Sequence, residues 1–275
     1  MDDYARRRRA LEGVLESLPD LAVAFSGGVD SSVLLFAARR ALGERAVGLI
    51  GDSPALPRRE LAEALEFGAR IGAHVEVLAT HELAVEGYRE NDGRRCYFCR
   101  HTLFTAMADW VLEHGFSTLA YGEITDDRLE VRPGRRAAAE LAVRSPLAEA
   151  GFSKEDVRRY AREHGLAVAE KAQAACLASR LPLGTPVTEA ALRRIELAEE
   201  ALRPHGFELL RVRDHGLRAR VEVMPKELAR ARRLGGELAA ALAPLGFAEL
   251  ELAPYRRPSA GEQDTTLPAA KSVSR

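Results

Sequence analysis

Three groups of residues have types and spacings that can do chemistry. The first is Ser26-Gly27-Gly28-Val29-Asp30-Ser31-Ser32. Two glycines let the backbone come close to a ligand, and three hydroxyls add donors, so the stretch suits an anion. Asp30 is an acid among anion-binding groups, and its plausible task there is to hold Mg²⁺. The second group is Cys96-Tyr97-Phe98-Cys99, a C-x-x-C that brings two sulfurs to one ion or cluster. The third is Cys176.

The sequence holds three cysteines. An odd count argues against a disulfide framework and for chemistry or metal. A thioredoxin-type pair would want its first cysteine at a helix start after a strand, whereas Arg94-Arg95 read as loop. A tetrahedral zinc needs a fourth ligand, which His101 is near enough in sequence to supply. Three thiolates with none to follow suit a 4Fe–4S cluster with one open iron. Three unrelated thiols are the remaining alternative, and the spacing by itself leaves all of these open.

The elements that must position these groups are legible in outline. Leu21–Phe25 is an apolar run that reads as a buried strand, and Ser31–Arg40 reads as a helix. A strand, a glycine turn and a helix N-terminus make an anion site, because the first N–H groups of the helix lack internal partners. The Walker A pattern is absent. The S-G-G-x-D-S stretch instead resembles the PP-loop of the ATP pyrophosphatases, which cleave ATP between the α and β phosphates and adenylylate an oxygen of the substrate.

A second buried strand is expected at Ala46–Ile50 and further strands at His74–Leu78 and Thr118–Tyr121, with helices from Pro57 to about Ile71 and over 101–114. This alternation predicts an α/β fold with a doubly wound parallel sheet of the PP-loop type. Ligands then bind beyond the carboxyl ends of the strands, where Gly28, Ser53 and Gly122 all lie. Residues 123–136, with Pro133-Gly134 as a turn, read as a loop over that face. Ser153 caps a helix to about His164. The stretch from Lys171 to Pro186, which contains Cys176, reads as a functional loop.

From Thr188 the pattern changes: a helix (Glu189–Leu202), strands at Phe207–Val212 and Arg218–Val223, helices at Lys226–Leu234 and Glu237–Leu245, and a strand near Ala248–Leu252. The expected division is therefore a PP-loop domain with cysteine-bearing loops over 1–186, a small α/β domain over 187–255, and a disordered tail over 256–275.

The 275 residues are 47% hydrophobic and 29% charged, with a formal net charge of -1, which is the composition of an ordinary globular protein. No apolar run is long enough to span a bilayer, and Met1-Asp2-Asp3 lacks the shape of a signal peptide, so the expected place is the cytoplasm with no membrane partner. The charge balance lacks the basic footprint of a nucleic-acid binder.

At Ala175-Cys176-Leu177-Ala178-Ser179-Arg180 the chain resembles the A-C-L-A-S-R signature of the LarE family, the pyridinium-3,5-biscarboxylic acid mononucleotide sulfurtransferases. Ser53-Pro54 with Pro57-Arg58-Arg59-Glu60, Arg95-Cys96-Tyr97-Phe98-Cys99, Arg132-Pro133-Gly134 with Arg136-Ala137, Arg144-Ser145-Pro146-Leu147, and Leu210-Arg211-Val212-Arg213 with His215-Gly216 agree in order, over about residues 10 to 255. The resemblance implies that ATP and Mg²⁺ adenylylate a substrate carboxylate, that sulfur then displaces AMP to give a thiocarboxylate, and that two rounds lead toward the nickel-pincer nucleotide cofactor. It implies nucleotide contacts at Ser26, Gly27, Gly28, Asp30, Ser31, Ser32, Ser53, Arg58 and Gly122, with Asp30 on Mg²⁺.

It further implies a 4Fe–4S cluster on Cys96, Cys99 and Cys176, since members with one cysteine consume it and members with three keep a cluster. Substrate anions would be met by Arg100, Ser179, Arg180, Arg211 and Arg213, with Glu222 orienting an arginine. Arg100 stands where the family has lysine, and Glu123-Ile124 where relatives often have Thr-Asn; Asp126-Asp127 are available to Mg²⁺ or substrate. A homo-oligomer, a hexamer by resemblance, and hand-over of product to a nickel-inserting enzyme are implied partners. Two rivals share parts of this pattern: a tRNA thiolase with the same cluster, and a zinc-stabilised nucleotide-binding module without turnover.

Overall fold

Leu21-Ala22-Val23-Ala24 alternates its side chains between two faces, and both faces are covered. A computed structural model of the chain describes residues 2–129, 133–171 and 175–256. The expected tail, apart from Arg256, lies outside the described residues, as does Arg132 of the R-P-G block. The chain divides into two compact units, one of residues 1–82 and 97–175, the other of 83–96 and 176–275.

The elements follow in chain order as α1 (Asp3–Glu16), β1 (Leu21–Ala24), α2 (Val29–Leu42), β2 (Ala46–Asp52), α3 (Arg58–Arg70), β3 (His74–Ala79), α4 (Glu86–Arg89), α5 (Arg95–Glu113), β4 (Leu119–Tyr121), α6 (Pro133–Glu140), α7 (Pro146–Glu149) and α8 (Lys154–Glu163). The second half continues with α9 (Glu189–Leu202), β5 (Leu210–His215), β6 (Arg218–Val223), α10 (Leu228–Arg233), α11 (Gly235–Leu242) and β7 (Glu249–Pro254).

The first unit is built on a four-stranded parallel sheet in the order β3-β2-β1-β4. Leu21 and Val23 pack with Leu34, Leu35 and Tyr160 on one face, drawing in α1, α2, α3 and α8. Ala22 packs on the other face with Val47, Leu49, Phe104 and Met107, drawing in α5 and α6. Period-2 strands between two helical layers are the doubly wound arrangement expected. The strand order reverses direction at β1, so the β1–β4 edge is the crevice where such sheets take ligands.

The second unit holds a three-stranded sheet in the order β5-β6-β7, antiparallel then parallel. Val212, Val221 and Val223 are buried against Ala198 and Leu202 of α9 and Leu238 and Leu242 of α11.

Four expectations are corrected. The division falls at 175/176 instead of 186/187, because Leu83–Cys96 joins the second unit: the Gly184 N–H donates to Asn91 O and the Val187 N–H to Arg89 O, at 2.9 and 2.8 Å. Cys96 and Cys99 lie in the first turn of a 19-residue helix, not in a loop. Asp92 makes that start possible, its side chain accepting from the Arg94 N–H at 2.8 Å and its carbonyl from the Arg95 N–H at 3.1 Å. Pro133-Gly134 opens α6, proline being well suited to a first helical turn. Finally, β5 runs Leu210–His215 rather than Phe207–Val212, because cross-strand acids accommodate the charges of Arg211-Val212-Arg213-Asp214.

Candidate functional site

The loop between β1 and α2 is a tightly fitted turn. Gly27 has φ +69°, and a Cβ on it would stand 2.8 Å from the Ala64 Cβ, so only glycine fits. Ser26 and Ser31 clasp the loop across its mouth with their hydroxyl oxygens 3.1 Å apart, and the Ser26 N–H donates to Ser31 Oγ at 3.2 Å. Gly28 is the N-cap of α2 and brings no side chain to cover the helix end. Ser32 Oγ is buried with no hydrogen-bond partner among the described residues. A backbone cradle at an uncapped helix N-terminus suits phosphate.

Gly122 closes the crevice from β4. A Cβ there would stand 2.7 Å from Ser31 N and 2.9 Å from the carbonyl carbon of Asp30, both backbone atoms that cannot swing aside. Gly122 thus lies against the first turn of α2, the helix that Gly28 caps.

Asp30 is held by a residue that sequence reasoning missed. Lys154 Nζ donates to both carboxylate oxygens of Asp30, at 2.9 and 2.8 Å. Burial pushes the Asp30 carboxyl up, and the Lys154 ammonium opposes that shift. The Lys154 N–H also donates to Asp126 Oδ2 at 3.1 Å, and Asp127 is close enough for Asp30 to feel its charge. One signal was available: Lys154 is a cation in the first turn of α8, the end where the helix dipole disfavours positive charge. Magnesium is commonly held by one or two carboxylates together with substrate phosphates, so Asp30 beside a phosphate cradle fits that ion.

Ser53 and Arg58 sit at the end of β2 and the start of α3. Ser53 is buried and its Oγ accepts from the Ala55 N–H at 3.1 Å. Arg58 folds back on the same turn, Nη2 donating to Ser53 O at 2.7 Å and Leu56 O at 2.8 Å. Arg100 lies over the rings of Tyr121 and Phe104, at 5.5 and 6.0 Å from their centroids. Its stem fills the space that a side chain on Gly134 would take, with Cδ 2.5 Å from the position of such a Cβ.

In the second unit, Cys176 precedes a single 3-10 turn, Leu177–Arg180. Arg180 is buried and paired with Glu199 of α9, Nε to Oε1 at 2.9 Å. Its Nη1 turns back to Cys176 O at 3.0 Å and Ser179 Oγ at 3.1 Å. Arg213 donates from Nε to Glu222 Oε1 at 2.7 Å and from Nη1 to Ser179 O at 3.1 Å. Glu222 therefore orients an arginine, as its place on the neighbouring strand suggested. Arg211, opposite Glu222 in the register, is buried and lies 4.5 Å from the centroid of Tyr255. Burial, with Arg180 nearby, holds its guanidinium below the ordinary value. An anion placed beside such a group is stabilised. Glu199, which also accepts from the Val212 N–H at 3.1 Å, was not foreseen.

Cys96 and Cys176 are exposed free thiols and Cys99 is half-buried. Three thiols fit an iron–sulfur cluster in kind and number. Among the described residues, no three His, Cys, Asp or Glu side chains are gathered tightly enough to hold a metal ion. No helix there is long and apolar enough to cross a membrane.

A parallel β3-β2-β1-β4 sheet with S-G-G-x-D-S after β1 defines a PP-loop-like α/β protein. No family model matches the chain. Over 274 residues, 98% of each chain, it is 30% identical to the pyridinium-3,5-bisthiocarboxylic acid mononucleotide synthase of Lactiplantibacillus plantarum. It is also 37% identical over 206 residues to an uncharacterised protein of Synechocystis, covering 75% of this chain and 77% of that one. A third relative, an uncharacterised protein of Methanocaldococcus jannaschii, is 25% identical over 203 residues, 74% of this chain and 77% of its own. The chain belongs to the LarE family.

Proposed function

We propose that this chain is an ATP-dependent sulfurtransferase that converts pyridinium-3,5-biscarboxylic acid mononucleotide to the bisthiocarboxylic acid. One observation carries the reading: the 30% identity to the synthase of that product extends over 98% of both chains. A carboxylate is a poor electrophile. Its oxygen attacks the α phosphorus of ATP, the α–β bridging bond breaks, and pyrophosphate leaves. The β1–α2 cradle and Asp30, with Mg²⁺, stabilise the charge on the phosphates. Lys154 holds the Asp30 carboxylate in place, and Asp30 would hold the Mg²⁺ that offsets the charge on the phosphates.

A sulfur nucleophile delivered at Cys176 then attacks the acyl carbon, the bond to the AMP oxygen breaks, and a thiocarboxylate results. A 4Fe–4S cluster on Cys96, Cys99 and Cys176 would supply that sulfur as a sulfide on the iron that no thiolate holds. Arg211 and Arg213 meet the substrate's anions from β5, while Arg180 and Ser179 shape the turn beside Cys176; Arg100 serves the same substrate from α5. The resemblance to the LarE family implies a homo-oligomer that hands its product to a nickel-inserting enzyme.

Anaerobic incubation with ATP, Mg²⁺ and the dicarboxylate mononucleotide tests this. The expected result is one pyrophosphate released per oxygen replaced by sulfur, read by mass spectrometry of the nucleotide. Substrate-dependent pyrophosphate release that is absent, with folded protein, would sink it. Iron and acid-labile sulfide assays test the source: about four irons per chain mark a cluster, and loss of H₂S mass from the protein marks a consumed Cys176.

A further inference from the structure

Asn91 and Arg95 have no part in the chemistry proposed above, yet both are fully engaged in polar contacts. Asn91 is completely buried with φ 53°, a left-handed conformation that asparagine tolerates better than most residues. Its Nδ2 donates to Pro182 O at 2.8 Å and Thr185 O at 2.9 Å, and its carbonyl accepts from the Gly184 N–H at 2.9 Å. Its Oδ1 accepts from Arg95 Nη1. That same Nη1 donates to Ala178 O at 2.8 Å. One guanidinium nitrogen thus bridges the strap that leads into the C-x-x-C and the turn that follows Cys176.

Arg95 adjoins Cys96, and Ala178 is two residues beyond Cys176; all four belong to the second unit. Both cysteines are exposed. The contacts of Asn91 and Arg95 tie the segment before Cys96 to the turn after Cys176, beside the Val187–Arg89 backbone bond and the Arg180 and Arg213 contacts that hold that turn. We infer that Asn91 and Arg95 are a positioning pair that sets the distance between the sulfurs of Cys96 and Cys176, so that both present to one sulfur species. The inference deepens the sulfur-transfer reading and rests on it. Lysine would not substitute fully, because its stem ends short of the position of Nη1 and it lacks the planar guanidinium that orients that nitrogen.

The test uses full-length, iron-free, reduced protein carrying Cys99→Ser, so that Cys96 and Cys176 are its remaining thiols. A short bis-maleimide is added and the Cys96–Cys176 bridge is timed by peptide mass mapping. The parent should bridge, Arg95→Gln and Asn91→Ala should bridge at least roughly tenfold more slowly through lost effective concentration, and Arg95→Lys should recover part of the rate. Alkylation of each thiol by a simple maleimide should not change, which separates misplacement from unfolding. A parent that does not bridge, or an Arg95→Gln protein that bridges at the parental rate, overturns the inference. An Arg95-dependent bridge in a protein that takes up no iron supports the pair and sinks the cluster.

Discussion

Around Asp30 the frame is backbone; around Cys176 it is arginine. The cradle after β1 is made of consecutive residues, with Gly27 pressed on Ala64 and Gly122 pressed on the peptide between Asp30 and Ser31. The turn after Cys176 is held through its carbonyls: Arg180 on Cys176 O, Arg95 on Ala178 O and Arg213 on Ser179 O, at 3.0, 2.8 and 3.1 Å. A backbone frame fails when a single atom is added. A side-chain frame fails when a charge loses its partner, and it fails by degrees.

The largest break is expected at Gly122→Ala, which sets a methyl against main-chain atoms at 2.7 and 2.9 Å. Displacing the loop should cut substrate-dependent pyrophosphate release by about a hundredfold or more, as misplacement of reacting groups does. An assay of pyrophosphate that finds wild-type rates would show that the crevice opens easily. Next comes Glu199→Gln, which leaves the buried Arg180 guanidinium without its carboxylate. Urea unfolding should show a loss of about 3–5 kcal/mol, the usual cost of breaking one side of a buried pair. A loss confined to activity would mean that the pair serves substrate rather than the fold.

Lys154→Met sharpens the comparison from the other side, because it removes a side chain from the backbone-framed site. Mn²⁺ titrated into the nucleotide-free protein should bind roughly tenfold more tightly, the competing charge-assisted bonds being gone. Unchanged Mn²⁺ affinity would remove Asp30 as the cation's ligand.

The smallest effect is expected at Asp156, in the capping box of α8. Burial raises its carboxyl, but the Ser153 N–H and hydroxyl and the Arg7 guanidinium outweigh that and hold it below its ordinary value of 3.8. Its contribution to stability is therefore present above pH 3.8 and is lost as the pH falls through the depressed native value. Asp156→Asn should cost about 1 kcal/mol at neutral pH, and the two proteins should converge in acid titrations of unfolding.

The same contrast explains what could be read from the sequence. Ser26–Ser32 shows its anion-binding pattern in seven adjacent residues, and the β1–α2 turn and the parallel sheet follow from strand–turn–helix patterning. Lys154 shows in the sequence only as a cation in a helix's first turn, because the acid it serves is 124 residues away. Arg180 read as a substrate ligand because its partner, Glu199, sits in another element and looks like one more charge on an amphipathic helix. The helix carrying Cys96 and Cys99 reads as a loop in the sequence because its start depends on Asp92, whose side chain and carbonyl take up the Arg94 and Arg95 N–H groups. The shift of β5 has the same root: Arg213-Asp214-His215 looks like surface until Glu222 and Arg194 are seen bonding the first two.

The strap from Leu83 to Cys96 also bears on how the protein is made. Asn91 bonds Pro182, 91 residues later. At the ribosome's pace of about 5–20 residues per second, that partner arrives roughly 5–20 seconds after Asn91 itself. Through that interval the nascent chain carries the Cys96 thiol at the end of a strap with nothing to dock on. The protein thus acquires its two cysteine-bearing segments in a fixed temporal order, and the later one, with its A-C-L-A-S-R turn, is what completes the earlier.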